Sequence, residues 1–164
     1  MKYHDIALLK TDMPVLFNYH VAPICLPQPK DINNEPAMSA SIVSNVKGSQ
    51  DSINPCYVYL NIFRQSDCEK FYPPSKLLSS GFNATTQLCY GYKNRRKPPC
   101  DSSSGASLHK RNAYYPCGFS LIGITSFERT WNNEVGHGLY TNVYFYKTWI
   151  ENIVWSYLIK EETK

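Results

Sequence analysis

The chain has 164 residues, 43% hydrophobic and 14% aromatic, which suits one compact domain and is too short for two ordinary ones. A formal charge of +4 is nearly balanced, and the basic cluster at residues 93–97 comes with no nucleic-acid motif, so it reads as an exposed loop and no nucleic-acid partner is expected. No run approaches the ~20 apolar residues of a membrane-spanning helix, so no membrane partner is expected.

Taken in chain order, residues 4–10 read as a short apolar strand bounded by charge. Residues 21–27 are extended and punctuated by prolines. Residues 28–36 read as a loop, and residues 39–46 and 56–62 as two strands joined by a turn-rich link. Residues 66–71 form a candidate short helix, stopped by Pro73-Pro74. Residues 87–91 are short and apolar. Residues 119–127 are the strongest strand, rich in β-branched and aromatic side chains, and residues 138–143 are another. From Tyr144 the period changes: Tyr146, Trp149, Ile150, Ile153 and Val154 recur at helical spacing, to about Ile159. The sum is an all-β domain ending in one helix.

Six cysteines stand at 25, 56, 68, 89, 100 and 117. None forms a C-x-x-C pair, which argues against zinc, and an even count at wide spacing fits disulfides in a secreted protein. Asn83-Ala84-Thr85 is an N-glycosylation acceptor. The four-residue apolar run Ile6-Ala7-Leu8-Leu9 is far short of a signal-peptide core. Disulfide chemistry without that core suggests a piece of a longer chain.

Six segments occur in a recognisable order. They are His4-Asp5-Ile6-Ala7-Leu8-Leu9-Lys10, Val21-Ala22-Pro23-Ile24-Cys25-Leu26-Pro27, Gln87-Leu88-Cys89-Tyr90-Gly91, Ile122-Gly123-Ile124-Thr125-Ser126-Phe127, Gly138-Leu139-Tyr140-Thr141-Asn142-Val143 and Tyr146-Lys147-Thr148-Trp149-Ile150. Through them the chain resembles the chymotrypsin-like serine proteases, especially the secreted, clip-domain, trypsin-like enzymes of arthropods. The resemblance implies a double β-barrel fold, of which this chain carries mainly the second barrel and the C-terminal helix, with most of the first barrel missing. Residues 1–27 would then be the end of the first barrel and the inter-barrel linker, 28–143 the second barrel and 144–160 the helix. An extracellular location, protein partners and the absence of any cofactor or metal are implied with it.

The resemblance also assigns roles. Asp5 matches the triad aspartate. Residues 100–108, CDSSSGASL, align without a gap on the nucleophile loop C-x-G-D-S-G-G-P-L. Asp101 takes the variable position and Ser104 falls on the nucleophile. Ser102 replaces the glycine that supplies an oxyanion-hole N–H, and Ser103 replaces the aspartate that pairs with the freed N-terminus. Gly105 is kept, Ala106 replaces a glycine and Ser107 a proline. Pro98 stands where trypsin-like members carry the acid at the base of the primary pocket. Ser126 and Phe127 keep the pocket wall, and Glu128 replaces the glycine after it, where a bulky acid is expected to obstruct an extended substrate; simple drift after loss of catalysis is the favoured alternative.

The segment carrying the triad histidine is not in the chain. Losing an oxyanion donor costs roughly 10²–10³ in rate, and losing the base about 10⁶ in a related system, so the base decides. None of the four histidines matches the triad position. His4 is expected to point away from Asp5 because neighbours in a strand face opposite ways. Cys68 and Cys89 are expected to pair by family position. Cys25 matches a cysteine that bonds to an N-terminal regulatory chain, Cys100 has lost its usual partner, and pairing of Cys56 with Cys117 stays open. Two functions follow: a non-catalytic protease homologue that binds or regulates within an extracellular protease cascade, or the C-terminal part of an active secreted serine endopeptidase. A truncated product without function is the third possibility.

Overall fold

The computed structural model describes residues 2–43, 54–92, 104–112, 118–131 and 134–156, with backbone alone for 41–43, 54–56, 128–131 and 134–136. Alternation builds the sheet. In β2 (Asn54–Ile62), Val58 and Leu60 are buried while Tyr57 and Tyr59 are exposed, the period of two that gives a strand one dry face and one wet face. β2 lies antiparallel to β1 (Ala37–Val43), in register from Ala37 opposite Leu60 to Val43 opposite Asn54. With β3 (Gln87–Gly91), β4 (Ser107–Arg111), β5 (Phe119–Trp131) and β6 (Glu134–Asn142), these strands close into one barrel in the order β1-β2-β3-β6-β5-β4. The closing pair is β1 with β4, Met38 to Ala40 opposite His109 to Ser107. Closure leaves no free edge to template aggregation. Leu60, Leu88, Tyr90, Leu108, Ile122 and Tyr140 fill the interior.

β3 departs from simple alternation, with all five residues buried. Leu88 and Tyr90 face the barrel interior. Cys89 faces a second cluster with Cys68, Tyr72, Leu78 and Leu139. That cluster lies beneath α1 (Gln65–Phe71), and the Cys68–Cys89 disulfide ties α1 to β3 with Cα atoms 6.2 Å apart. This is the pairing that the family positions imply. At the C-terminal end, α2 (Val143–Val154) buries Val143, Tyr146 and Ile150 on one face. Ile6, Leu26, Leu121 and Ile124 pack against them.

Several expectations need correction. Residues 5–10 form no strand: they pair with no ladder among the described residues, and His4 has a φ of 56°. An apolar run meets the composition of a strand, but a strand also needs a partner edge. β1 starts earlier than expected, and β5 and β6 run on into a long hairpin. β4, SLHKR, was not foreseen, because His109 and Lys110 are both buried in a stretch that reads as polar. The loop at 28–36 holds a 3-10 turn, Pro29–Asp31, in which Gln28 N donates to Asp31 Oδ2 at 2.8 Å. α2 ends at Val154, and Trp149, Ile153 and Val154 of its expected apolar stripe are exposed. The expected end near Ile159 lies outside the described residues. Cys25 sits against β5, where its N donates to Phe119 O at 3.0 Å and its O accepts from Leu121 N at 2.9 Å. It is disulfide-bonded.

Two predictions follow from this packing. Replacing Cys68 and Cys89 together with alanine removes a cross-link between residues separated by 21 in sequence. The unfolded chain gains freedom, and urea unfolding should show a loss of about 3 kcal/mol. Residues 8–24 carry large apolar side chains into solvent, with Leu9 95% exposed and Leu16 83%. Native protein should therefore brighten a hydrophobic dye, and a Leu9→Ser/Phe17→Ser double variant should brighten it less. A native chain that leaves the dye dark would refute the exposed arm.

Candidate active site

The site is organised by one extra residue in β5. Thr125 lies opposite Tyr140, and the next pair is Phe127 with Leu139. Ser126 is therefore unmatched, a bulge that re-aims side chains at this point of the strand. Thr125 and Ser126 are both buried, yet their hydroxyls go to different places. Thr125 Oγ1 donates to Ala106 O at 3.1 Å, and Ser126 Oγ donates to Asp5 Oδ2 at 2.6 Å. Backbone bonds reinforce the first contact: Gly105 N donates to Thr125 O and Thr125 N to Ala106 O, each at 2.8 Å. Adjacent residues of β5 thus hold the Ser104 turn and Asp5.

Gly105 is retained for a conformational reason. Its φ is +85°, and a Cβ built on it would meet nothing within 4 Å. The left-handed backbone, not space, is what a side chain there would oppose. Ser104, just before it, is exposed and has no hydrogen-bond partner among the described residues. Asp5 and Ser104 line one open depression of about 420 Å³ with His4, Ile6, Gly105 and Thr125.

The Asp5 carboxylate is fully engaged on one oxygen. Lys2 Nζ lies 2.8 Å from the same Oδ2 that accepts from Ser126, and 3.5 Å from Ser126 O. The segment is pinned on both sides of this pair. Lys2 N donates to Leu77 O at 2.8 Å, Gln87 Nε2 donates to Lys2 O at 3.0 Å, and Thr141 Oγ1 donates to Asp5 O at 2.8 Å. The Lys2 bond, then the Ser126 bond, hold the Asp5 carboxyl below its ordinary value, with burial opposing them. Lys2 was missed in the sequence, although a lysine three residues from an aspartate is a legible charge pair.

None of the four histidines meets the Asp5 carboxylate or Ser104. His4 lines the depression, but its Nδ1 is 2.6 Å from Tyr146 Oη, and the two rings meet edge to face. His4 is thus turned toward α2 by a left-handed backbone, a different cause from the strand alternation expected. His20 is exposed on the arm. His109 is buried against Phe119, with Nδ1 3.2 Å from Ser107 Oγ, and burial lowers its pKa. His137 stacks on Phe71 with centroids 3.5 Å apart, and burial lowers its pKa with Asp67 opposing.

The remaining expected residues divide. Phe127 packs edge to face on Tyr72, centroids 5.6 Å apart, and lines a groove with Lys76, Leu77 and Leu78. Glu128 continues β5 opposite Gly138. A Cβ at Gly138 would come within 2.7 Å of the Tyr140 ring, so a side chain there would force that buried ring to shift. Asn83 lies on an exposed turn before β3. Pro98, Ser102 and Ser103 lie outside the described residues, as does the basic stretch 93–97. Among the described residues no helix is long and apolar enough to cross a membrane, and no three His, Cys, Asp or Glu side chains gather as a metal site.

A closed antiparallel barrel, a C-terminal helix and a serine-held aspartate beside a glycine turn describe a serine-protease type of domain. The Trypsin family model matches residues 1–150, and the chain belongs to that family. It is 32% identical over 151 residues to Serine protease snk of Drosophila melanogaster, covering 92% of this chain and 34% of that protein. It is 28% identical over 151 residues to Phenoloxidase-activating factor 1 of Holotrichia diomphalia, covering 92% and 40%. It is 29% identical over 156 residues to CLIP domain-containing serine protease B15 of Anopheles gambiae, covering 92% and 41%. The chain thus spans about a third to two fifths of the length of these relatives.

The Asp5 contacts give a pH prediction. A carboxyl whose folded pKa is depressed stabilises the fold above its unfolded value, and that stabilisation is lost as pH falls through the folded pKa. Wild type should therefore exceed Asp5→Asn in urea midpoint at neutral pH. The gap should shrink once pH falls below the ordinary carboxyl value of 3.8 and close in stronger acid. With the Lys2 and Asp5 side chains 31% and 38% exposed, added salt should narrow it. A gap independent of pH would rule out the charged pair as its source.

Proposed function

We propose that the chain belongs to a non-catalytic serine-protease homologue that acts by binding protein components of an extracellular protease cascade. The observation that carries this reading is the fate of the bases. A serine hydroxyl is a weak nucleophile without an adjacent base, and every histidine of the chain is engaged elsewhere or exposed on the arm. In a working triad the aspartate orients an imidazole. Here Lys2 supplies the cation at Asp5, and an ammonium so placed neither abstracts the Ser104 proton nor returns it to a leaving group. Ser103 adds to the reading, because it carries no charge to pair with a freed N-terminus.

The relatives favour the cascade setting. One is named a phenoloxidase-activating factor and another a CLIP domain-containing protease. The disulfide chemistry suits an oxidising compartment. A second reading, the C-terminal part of an active serine endopeptidase, draws on Asp5 and Ser104 lining one depression.

The two readings part on a fluorophosphonate serine probe applied to the 164-residue chain and to the longest transcript product. No labelling is expected from either. Labelling that disappears in Ser104→Ala would establish a reactive nucleophile and overturn the binding-protein reading.

A further inference from the structure

The acceptor motif Asn83-Ala84-Thr85 is left unused by the cleft chemistry. We infer that Asn83 carries an N-linked oligosaccharide, on a turn that the fold holds outward beside the start of α2. All three residues of the motif are exposed. Asn83 Oδ1 is taken up by the turn itself, accepting from Thr85 N at 2.9 Å and Thr86 N at 3.3 Å. Its Nδ2 has no partner among the described residues, so replacing one of its protons with a sugar breaks no bond in the fold.

The turn is fixed through backbone groups and through Gln87 and Asn142, not through the Asn83 amide nitrogen. Asn83 N donates to Gln87 Oε1 at 3.0 Å, and Gln87 N donates to Asn83 O at 2.9 Å. Asn142, at the start of α2, donates from its N to Thr86 O at 2.9 Å and from Nδ2 to Thr85 O at 3.1 Å. A glycan on Asn83 is therefore compatible with the closed barrel. Neither the depression shared by Asp5 and Ser104 nor the groove beside Phe127 is lined by this turn, so the cleft stays open and the surface beside α2 is shaded.

The transfer balances with one co-reactant, an oligosaccharide carried on a lipid diphosphate. A C–N bond forms between Asn83 Nδ2 and the anomeric carbon. The anomeric C–O bond to the diphosphate breaks, the lipid diphosphate leaves with that electron pair, and Nδ2 gives up one proton to a base. Nothing is oxidised or reduced.

The test directs the full 164-residue chain into the secretory pathway of insect cells and examines the lumenal and secreted pools by mass spectrometry. The attachment precedes completion of folding, so reading the lumenal pool keeps the assay informative for variants that fold poorly. The expected result is a glycan increment that peptide N-glycosidase removes, converting Asn83 to Asp. It should be lost in Asn83→Gln and in Thr85→Ala and kept in Thr85→Ser. The glycosylated chain should also contain the Cys68–Cys89 disulfide and melt cooperatively. An unmodified Asn83 in lumenal chain bearing that disulfide overturns the inference, and so does a glycan confined to chain that lacks it.

Discussion

The bulge at Ser126 is the constraint on which the site depends. Without it, β5 would continue in strict alternation, and neighbouring hydroxyls would fall on opposite faces in register with β6. With it, two adjacent buried residues reach two different segments, one the turn of Ser104 and the other the N-terminal arm at Asp5. The barrel supplies rigidity behind this point. Leu139 is wholly buried beneath the bulge, and the Cys68–Cys89 bridge fixes the neighbouring layer.

The sequence made some of this plain and hid the rest, for identifiable reasons. Alternation exposes β2, where aliphatic and tyrosine side chains take turns, and β-branched composition exposes β5. The order of six short motifs identified the family. β4 was hidden because His109 and Lys110 are buried by tertiary contacts; Lys110 Nζ, for example, donates to Asn33 O at 2.9 Å. The segment after Asp5 was misread because its apolar residues suit a strand and its neighbours do not provide one. A bulge has no residue signature in a single sequence, so the Ser126–Asp5 bond was not legible there. Trp149 and Ile153 share helical spacing with Tyr146 and Ile150 but are exposed, because spacing gives periodicity and not how wide a covering that face receives.

The Lys2–Asp5 pair explains how the Asp5 carboxylate is held in this chain. A half-buried carboxylate needs donors around it. Ser126 gives one and Lys2 the other, and the lysine is held by its own backbone bonds to Leu77 and Gln87. The electrostatic requirement of the aspartate is met by an ammonium and a hydroxyl. The shape of the depression around Asp5 thus rests on contacts made within this chain.

The strand order also sets when contacts can form. β1 with β2, and β5 with β6, are neighbours along the chain and meet early at small loop-closure cost. β1 with β4 and β3 with β6 join distant segments, so the ring shuts only after long stretches have been gathered. Such non-local pairing is slow. The seam from Met38 to Ala40 against His109 to Ser107 joins residues far apart in sequence, so its loop-closure cost is high, and until it forms the inner faces of β1 and β4 lack their partners.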